Sequence, residues 1–119
     1  MRWRRREKNI VADFLVNYTM NMGRSWSETL PWPFPGASVE ECNIAVHSDG
    51  GTRAESCSAA AWIVEVGYRG NFAAYAMAGT YMSAPVSSFT AEAIALNEAS
   101  AFVHNLLVLS EGARPKRQR

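Results

Sequence analysis

Three β-strand candidates joined by short turns occupy residues 43–82, and this spacing constrains the fold more than any other feature of the chain. The candidates cover residues 43–49, 58–66 and 72–82, and the turn GYRGN joins the last two. Because such short connections leave room only for hairpins, we predict an antiparallel meander of three strands. Gly79 within the third candidate predicts a bulge or a close approach to the strand.

Helical periodicity flanks the meander on both sides. Residues 8–22 predict a helix whose apolar face consists of Ile10, Val11, Phe14, Leu15, Tyr18 and Met22. A second, long helix is predicted over about residues 89–109, with Ser87 or Ser88 as its N-cap. The predicted fold class is therefore α/β, in the sense of an α+β mixed sheet: a meander, a following helix and an additional N-terminal helix.

The segment between the first helix and the meander is rich in proline and tryptophan. Three prolines fall within residues 31–35, so we predict no regular element in residues 23–41. Trp26, Trp32 and Phe34 nevertheless indicate that this segment packs on the domain. The predicted organisation is a basic start and helix (1–22), a linker (23–42), the main domain (43–109) and a basic tail (110–119).

Composition indicates one compact domain inside the cell. The chain has 119 residues, 48% of them hydrophobic, and no uninterrupted apolar run approaches the roughly 20 residues that span a bilayer. The basic start is followed by a segment containing Asp13 and two asparagines, which makes a poor signal sequence. We predict a cytoplasmic or nuclear protein with no membrane partner, and an organelle destination stays open. Cys42 and Cys57 would flank a hairpin at opposite ends, so reduced thiols are expected.

Charge is distributed unevenly along the chain. Nine of the twelve Lys and Arg residues lie in the two ends, and ten of the eleven acids lie between those ends. Basic ends of this kind either hold a polyanion near an acidic site or are simply solvated, and the sequence leaves both interpretations open.

Two acids stand out from the body of the chain. Asp49 is predicted at the end of the first strand, followed by Gly50 and Gly51, which would let a partner approach the backbone. At 100° per residue, Glu92 falls near the centre of the helix face that should pack on the sheet, whereas Glu98 falls on the far side. Because burying an unpaired carboxylate costs several kcal/mol, Glu92 is expected to have a cation, a metal ion or a raised pKa.

Several motifs together resemble the ribonuclease H family, of type 1 and the reverse-transcriptase-associated kind. They are SDGGTR, SAAAWIVEVGYRG and AGTYMSAPVSSFTAEAIALNEA within residues 43–109. In that family the Asp of the first motif and the Glu of the helix bind metal, and these correspond to Asp49 and Glu92. REKNIVADFLVNYTMN resembles the family's last helix, whose Asp is a more loosely attached active-site carboxylate and corresponds to Asp13.

The order of these elements departs from the family pattern. The last-helix segment comes first, and no strand bearing a third core carboxylate follows residue 109. The chain is either a piece of a tandem array or a permuted, reduced unit, and both alternatives stay open. In either case the resemblance implies an incomplete ribonuclease H-like fold, with an open third strand and an uncovered apolar helix face that favour association with a complementary half or a second copy.

The resemblance also implies a chemistry. It is hydrolysis of the RNA strand of an RNA–DNA hybrid with two Mg²⁺ ions, Mn²⁺ being the alternative. Asp49 would be the shared ligand, Glu92 a ligand to one ion and Asp13 an assisting group. The candidate substrate-binding residues are Gly50, Gly51, Thr52, Ser87 and Ser88. Because the third core carboxylate is missing, weak Mg²⁺ binding and slow or no cleavage are expected of the chain alone.

Two other functions fit parts of the sequence. A non-catalytic remnant could bind nucleic acid or a protein partner through the basic ends. The DGGT turn also resembles the phosphate loop of actin-like and sugar-kinase-like proteins, although its glycine spacing differs and no second loop is visible. His47 shares a strand face with Asp49 and is either part of the site or a structural histidine.

Overall fold

The computed structural model describes the backbone of residues 10–113 and the side chains of residues 10–110. The predicted basic start and the basic residues of the tail lie outside this range. The elements are α1 (Ile10–Met22), β1 (Trp26–Thr29), a short 3-10 helix (Val39–Glu41), β2 (Asn43–Arg53), β3 (Cys57–Tyr68), β4 (Asn71–Met82) and α2 (Ser88–Ala113). The described fold is mixed α+β, with a four-stranded antiparallel sheet in the order β1-β4-β3-β2 and two α-helices. The antiparallel meander is confirmed, and a fourth strand extends it.

The fourth strand lies in the segment predicted to have no regular element. β1 pairs with β4 from Trp26 opposite Gly79 to Thr29 opposite Ala76. The prediction is wrong because all four residues precede Pro31, so no proline removes a ladder hydrogen bond. The predicted packing of the segment is confirmed, since the ring of Trp32 lies 5.2 Å from that of Tyr75.

The strands of the meander are longer than predicted, and this moves Asp49. β2 continues to Arg53, so Asp49 lies within the strand, opposite Ala61 of β3, and not at the strand's end. The β3–β4 turn is tight: Arg69 and Gly70 both adopt positive φ, at 52° and 83°. A two-residue turn of this kind matches the twist of the strands it joins.

Each face of the sheet is covered by one helix. On the face covered by α2, the buried core consists of Cys42, Ile44, Val46, Trp62, Val64, Val66, Ala76, Ala78, Ala99 and Val103. On the face covered by α1, it consists of Leu15, Val16, Met20, Cys57, Ala59, Ala61 and Ile63. We call these the α2 face and the α1 face.

The buried face of α2 is rotated around the helix by about one residue from the predicted face. It consists of Ala91, Ala95, Ala99 and Val103, so Glu92 is exposed and the predicted central burial of Glu92 is wrong. Small residues let the helix backbone lie close to the sheet, and this displaces Leu96 to a flank where 44% of it is exposed. Glu98, predicted on the far side, is partly buried and accepts a hydrogen bond of 2.7 Å from Thr80 of β4.

The helix α1 is rotated in the same way. Its buried residues are Ala12, Leu15, Val16, Thr19 and Met20. Most of the predicted apolar face is wrong, since Ile10, Val11, Phe14 and Tyr18 are exposed. The close approach predicted at Gly79 is confirmed and explains the rotation: a Cβ there would overlap the hydroxyl of Thr19 and the indole of Trp26, so Gly79 makes room for them. The irregularity in the ladder lies elsewhere, between Val64 and Glu65.

Two other properties concern α2 and the cysteines. By length and composition alone, α2 is apolar enough to cross a membrane, although acids interrupt its apolar sequence at Glu92 and Glu98. In this fold its alanine and valine stripe packs on the sheet.

The two cysteines, Cys42 and Cys57, are buried free thiols.

Candidate carboxylate site at the edge of the sheet

The site lies on β2, the outer strand at one edge of the sheet. Gly51 lies beneath Val16 of α1, and side chains alternate along a strand, so Asp49 is on the α1 face as well. There its carboxyl group lies close enough to that of Asp13 for each to affect the proton affinity of the pair. Two of the three predicted acids, 36 residues apart in the sequence, are therefore adjacent in space.

The third acid reaches the same place from the other face of the sheet. A Cβ on Gly50 would overlap the backbone of Ala91 and Glu92, so the first turn of α2 lies directly on β2 at Gly50. Because β2 is an outer strand, the side chain of Glu92 is near enough to Asp49 for its charge to affect the titration of Asp49. The structure thus places Asp13 beside Asp49 and Glu92 within electrostatic range of Asp49, although Glu92 is not buried as predicted.

Burial and the two nearby acids raise the pKa of the Asp49 carboxyl group. Burial of the carboxyl group raises its pKa most, the backbone N–H of Gly50 opposes that effect, and the charges of Asp13 and Glu92 add to the rise. The folded chain therefore holds a proton on Asp49 more tightly than the unfolded chain does. A bound cation would offset the same repulsion.

The three carboxylates fit a divalent cation only in part. Carboxylate oxygen is the donor that Mg²⁺ and Mn²⁺ prefer. Within residues 10–110, however, no three His, Cys, Asp or Glu side chains lie close enough together to hold a metal ion. Asp13 and Asp49 form a pair, and Glu92 stands near the pair without completing a coordination shell.

The two glycines after Asp49 serve the fold. Gly50 faces α2 and Gly51 faces α1, where an added Cβ would lie 2.9 Å from a methyl group of Val16. The partner predicted to approach this backbone is thus the chain's own pair of helices. A substrate role for the backbone of Gly50 and Gly51 stays a prediction.

Two of the three predicted hydroxyl-bearing residues, Thr52 and Ser87, have structural contacts. The hydroxyl of Thr52 pairs with that of Ser58 at 2.7 Å. Ser87 accepts a hydrogen bond of 3.0 Å from the backbone N–H of Thr90, which makes Ser87 the N-cap of α2. Ser88 is the first residue of α2 and is exposed.

Ser58 is the residue that sequence reasoning missed. It is fully buried, accepts a hydrogen bond of 2.8 Å from the backbone N–H of Val86 and donates one of 3.1 Å to the carbonyl of Val86. These bonds fix the loop before α2 against β3, and hence the position of the turn that carries Glu92. The sequence signal for this role of Ser58 is that it is the one hydroxyl-bearing residue in the otherwise apolar segment CSAAAW.

His47 has a structural partner on the α1 face. Its Nε2 lies 2.8 Å from Oε1 of Glu65 on β3. His47 is buried beside this carboxylate, which accounts for its presence in the strand.

Comparisons with protein-family models, with curated proteins and with solved structures find no match. The resemblance to ribonuclease H therefore rests on the sequence motifs alone.

Proposed function

We propose that the chain is a reduced ribonuclease H-like unit in which Asp49, Glu92 and Asp13 bind Mg²⁺, or Mn²⁺, and support hydrolysis of the RNA strand of RNA–DNA hybrids. The observation that carries the proposal is the proximity of Asp13 on α1 to Asp49 on β2, with Glu92 of α2 near enough for its charge to affect Asp49. They are the three acids that the family motifs single out.

Stability alone does not account for this arrangement. Among the described residues, none of the three acids has a Lys or Arg within salt-bridge distance. Like charges held together at a partly buried carboxylate cost free energy, which a cation would recover. Such a cost is typical of sites arranged for binding.

The chain's own groups have distinct roles in this proposal. When bound, divalent cations would activate water and stabilise the leaving oxygen of a phosphodiester. Asp49 lies between Asp13 and Glu92 and is the candidate shared ligand, fixed by its place within a strand. The first turn of α2 fixes Glu92, and the basic ends of the sequence would attract the polyanionic substrate.

The partial fit favours a second chain at the site. The expected open third strand corresponds to β4, which is paired with β1 and is not open. The two outer strands of the described sheet are β1 and β2, and β2 carries Asp49. A complementary half or a second copy that adds a strand to β2 would bring further ligands beside Asp49.

A cleavage assay tests the proposal. Purified chain is incubated with an RNA–DNA hybrid labelled on its RNA strand, with Mg²⁺ or with EDTA. We expect slow cleavage that requires the cation, increases more than linearly with protein concentration and falls at least about 100-fold in Asp49→Asn, because removing one catalytic carboxylate is typically that costly. Cleavage that is unchanged in Asp49→Asn would contradict the assignment of the site.

A second candidate is a non-catalytic nucleic-acid- or partner-binding remnant. The incomplete group of metal ligands favours it. It predicts nucleic-acid affinity that falls steeply with salt, is unchanged in Asp49→Asn and is accompanied by no cleavage at any protein concentration.

A further inference from the structure

We propose that the chain forms a symmetric dimer in which the outer edge of β2 pairs antiparallel with the β2 edge of a second copy. The paired strands would join the two sheets into one continuous sheet about a two-fold axis. The inference rests on the proposed function in one respect and deepens it, because it names the partner that adds a residue to the carboxylate site.

The two outer strands of the described sheet differ in how their edges are protected. β1 has four residues and carries an exposed acid, Glu28. β2 has eleven residues, contains neither proline nor lysine, and pairs with β3 in regular register from end to end. Short length, charge, proline and bulges are the features that keep an edge strand from pairing with another chain. In residues 10–113 no strand lies beyond β2, so this long and regular edge is the one that invites a further strand.

The first half of β2 is covered on both faces. Ile44 and Val46 face α2 and are at most 3% exposed, and Ala45 and His47 on the opposite face are also buried. Because the helices cover both faces, a partner reaches this stretch through its outward row of backbone N–H and C=O groups. Those groups are what an added strand binds.

The sequence of β2 suits pairing with itself. In an antiparallel pair about a two-fold axis, all eleven residues gain a partner only when the middle residue, Ser48, lies on the axis. That register places Asp49 of each copy opposite His47 of the other, so an acid faces a base on both sides of the axis. A register centred on Asp49 would instead place two carboxylates opposite each other, which is unfavourable. The occupant that the strand favours is therefore a second copy of the chain.

An apolar side chain of α2 lies beside the same edge. Glu98 accepts a hydrogen bond from Thr80, so that flank of α2 faces β4. Leu96 is two residues from Glu98, or about 200° around the helix, which places Leu96 on the opposite flank, beyond β2. There it is 44% exposed, and a second copy would cover it.

The position of Leu96 along the strand matches the proposed axis. The loop before α2 is bonded to β3 opposite Thr52, and Ala91 lies on Gly50, so α2 runs along β2 toward lower residue numbers. The five residues from Ala91 to Leu96 rise about 7.5 Å, which equals roughly two residues of strand. Leu96 is therefore level with Ser48, where the axis would bring it against Leu96 of the second copy.

The dimer would bring a residue of one copy to the carboxylate site of the other. His47 and Asp49 are both on the α1 face, so His47 of the second copy would stand beside Asp49 with about 5 Å between their Cβ atoms. On this face α1 contacts Gly51 of β2 and Gly79 of β4, and so lies over β3, back from the outer edge. The α1 helices therefore do not obstruct the paired edges, and the two carboxylate sites would share one surface.

Oxidative crosslinking of the full chain carrying Ser48→Cys tests the register. The two introduced cysteines would face each other with their Cα atoms about 4.5–5.5 Å apart, which is within disulfide reach. We expect mild oxidation to convert most of this protein to a covalent dimer on a non-reducing gel. Arg53→Cys is the matched control, because position 53 is exposed on the same strand but lies about 33 Å from its copy in this register. It should stay uncrosslinked, as should the unmodified chain, whose cysteines are buried.

Sedimentation equilibrium in EDTA, without nucleic acid, tests the association itself. We expect a concentration-dependent dimer of the unmodified chain. Leu96→Lys would place two like charges at the axis and is expected to raise the Kd of the dimer at least about tenfold. Leu109→Lys is the matched control, because Leu109 is a 71% exposed leucine near the far end of the same helix, and its substitution should leave the Kd unchanged.

Three results would overturn the inference. They are a chain that sediments as a monomer at every concentration, a dimer that Leu96→Lys leaves intact, and equal crosslinking of Ser48→Cys and Arg53→Cys. Because these measurements need neither cation nor hybrid, they separate the two proposals. Hybrid cleavage by a monomer would refute the dimer alone, and a dimer that cleaves no hybrid would refute the proposed function alone.

Discussion

Gly50→Ala is expected to lower the midpoint of thermal unfolding by about 10 °C or more. The added methyl group would overlap the backbone of Ala91 and Glu92 and approach Cβ of Ala91 to 2.7 Å. A backbone cannot move aside as a flexible side chain does, so α2 must shift away from β2. Overpacking of this kind costs about 3 kcal/mol, and each kcal/mol corresponds to roughly 4 °C in a domain of this size. The measurement is thermal unfolding followed by circular dichroism.

Gly51→Ala is the matched control in the same strand. Its methyl group would lie 2.9 Å from Cγ1 of Val16, a side-chain atom that can move by a rotamer change. We expect Gly51→Ala to lower the midpoint of thermal unfolding by less than half as much as Gly50→Ala does. Equal effects of the two substitutions would contradict the packing of α2 directly on Gly50.

Ser58→Ala is expected to lower the free energy of unfolding by about 2–4 kcal/mol. The substitution removes the partner of the N–H and carbonyl groups of Val86 and leaves the Thr52 hydroxyl with a weaker bond. Each polar group left unsatisfied in a buried place costs about 1–3 kcal/mol. Urea unfolding followed by tryptophan fluorescence measures the difference.

Ser87→Ala provides the comparison for Ser58→Ala. Ser87 caps the same helix from an exposed position, and its loss should cost only about 1 kcal/mol. If Ser58→Ala were as mild as Ser87→Ala, the buried hydrogen bonds would not be what positions the start of α2.

The sequence alone predicted the pairing of β2, β3 and β4 and both helices, because hairpin spacing and helical periodicity are local signals, but it missed β1. It did not predict which face of each helix is buried. The apolar residues of α1 and α2 surround most of each helix, so their pattern left the orientation undecided by about one residue. The orientation of each helix is decided by how closely it can approach the sheet. Gly50, Gly51 and Gly79 leave room for helix residues that are small or lie close to the strands, and no local sequence pattern predicts these contacts.

The candidate site was predicted partly for the wrong physical reason. Glu92 was selected as a buried carboxylate, yet it is exposed and reaches Asp49 around the edge of an outer strand. Asp13 was selected by motif resemblance alone, and only the docking of α1 on the sheet brings it to Asp49. The substrate role predicted for Gly50 and Gly51 had no signal that distinguished a ligand from the chain's own helices.

Thermal unfolding of the unmodified chain and of Asp49→Asn at pH 7, with EDTA or with Mg²⁺, tests most directly whether the three carboxylates form a cation site. Because the pKa of Asp49 is raised in the folded state, the stability it contributes is present at low pH and is lost as the pH rises through that raised pKa. At pH 7 in EDTA, Asp49→Asn should therefore unfold at a higher temperature than the unmodified chain. Mg²⁺ at about 10–30 times its Kd should add about 1.4–2 kcal/mol to the unmodified chain, which reverses the order of the two midpoints, and much less to Asp49→Asn. Equal stabilisation of both chains by Mg²⁺, or a lower midpoint for Asp49→Asn in EDTA, would contradict a cation site at Asp49.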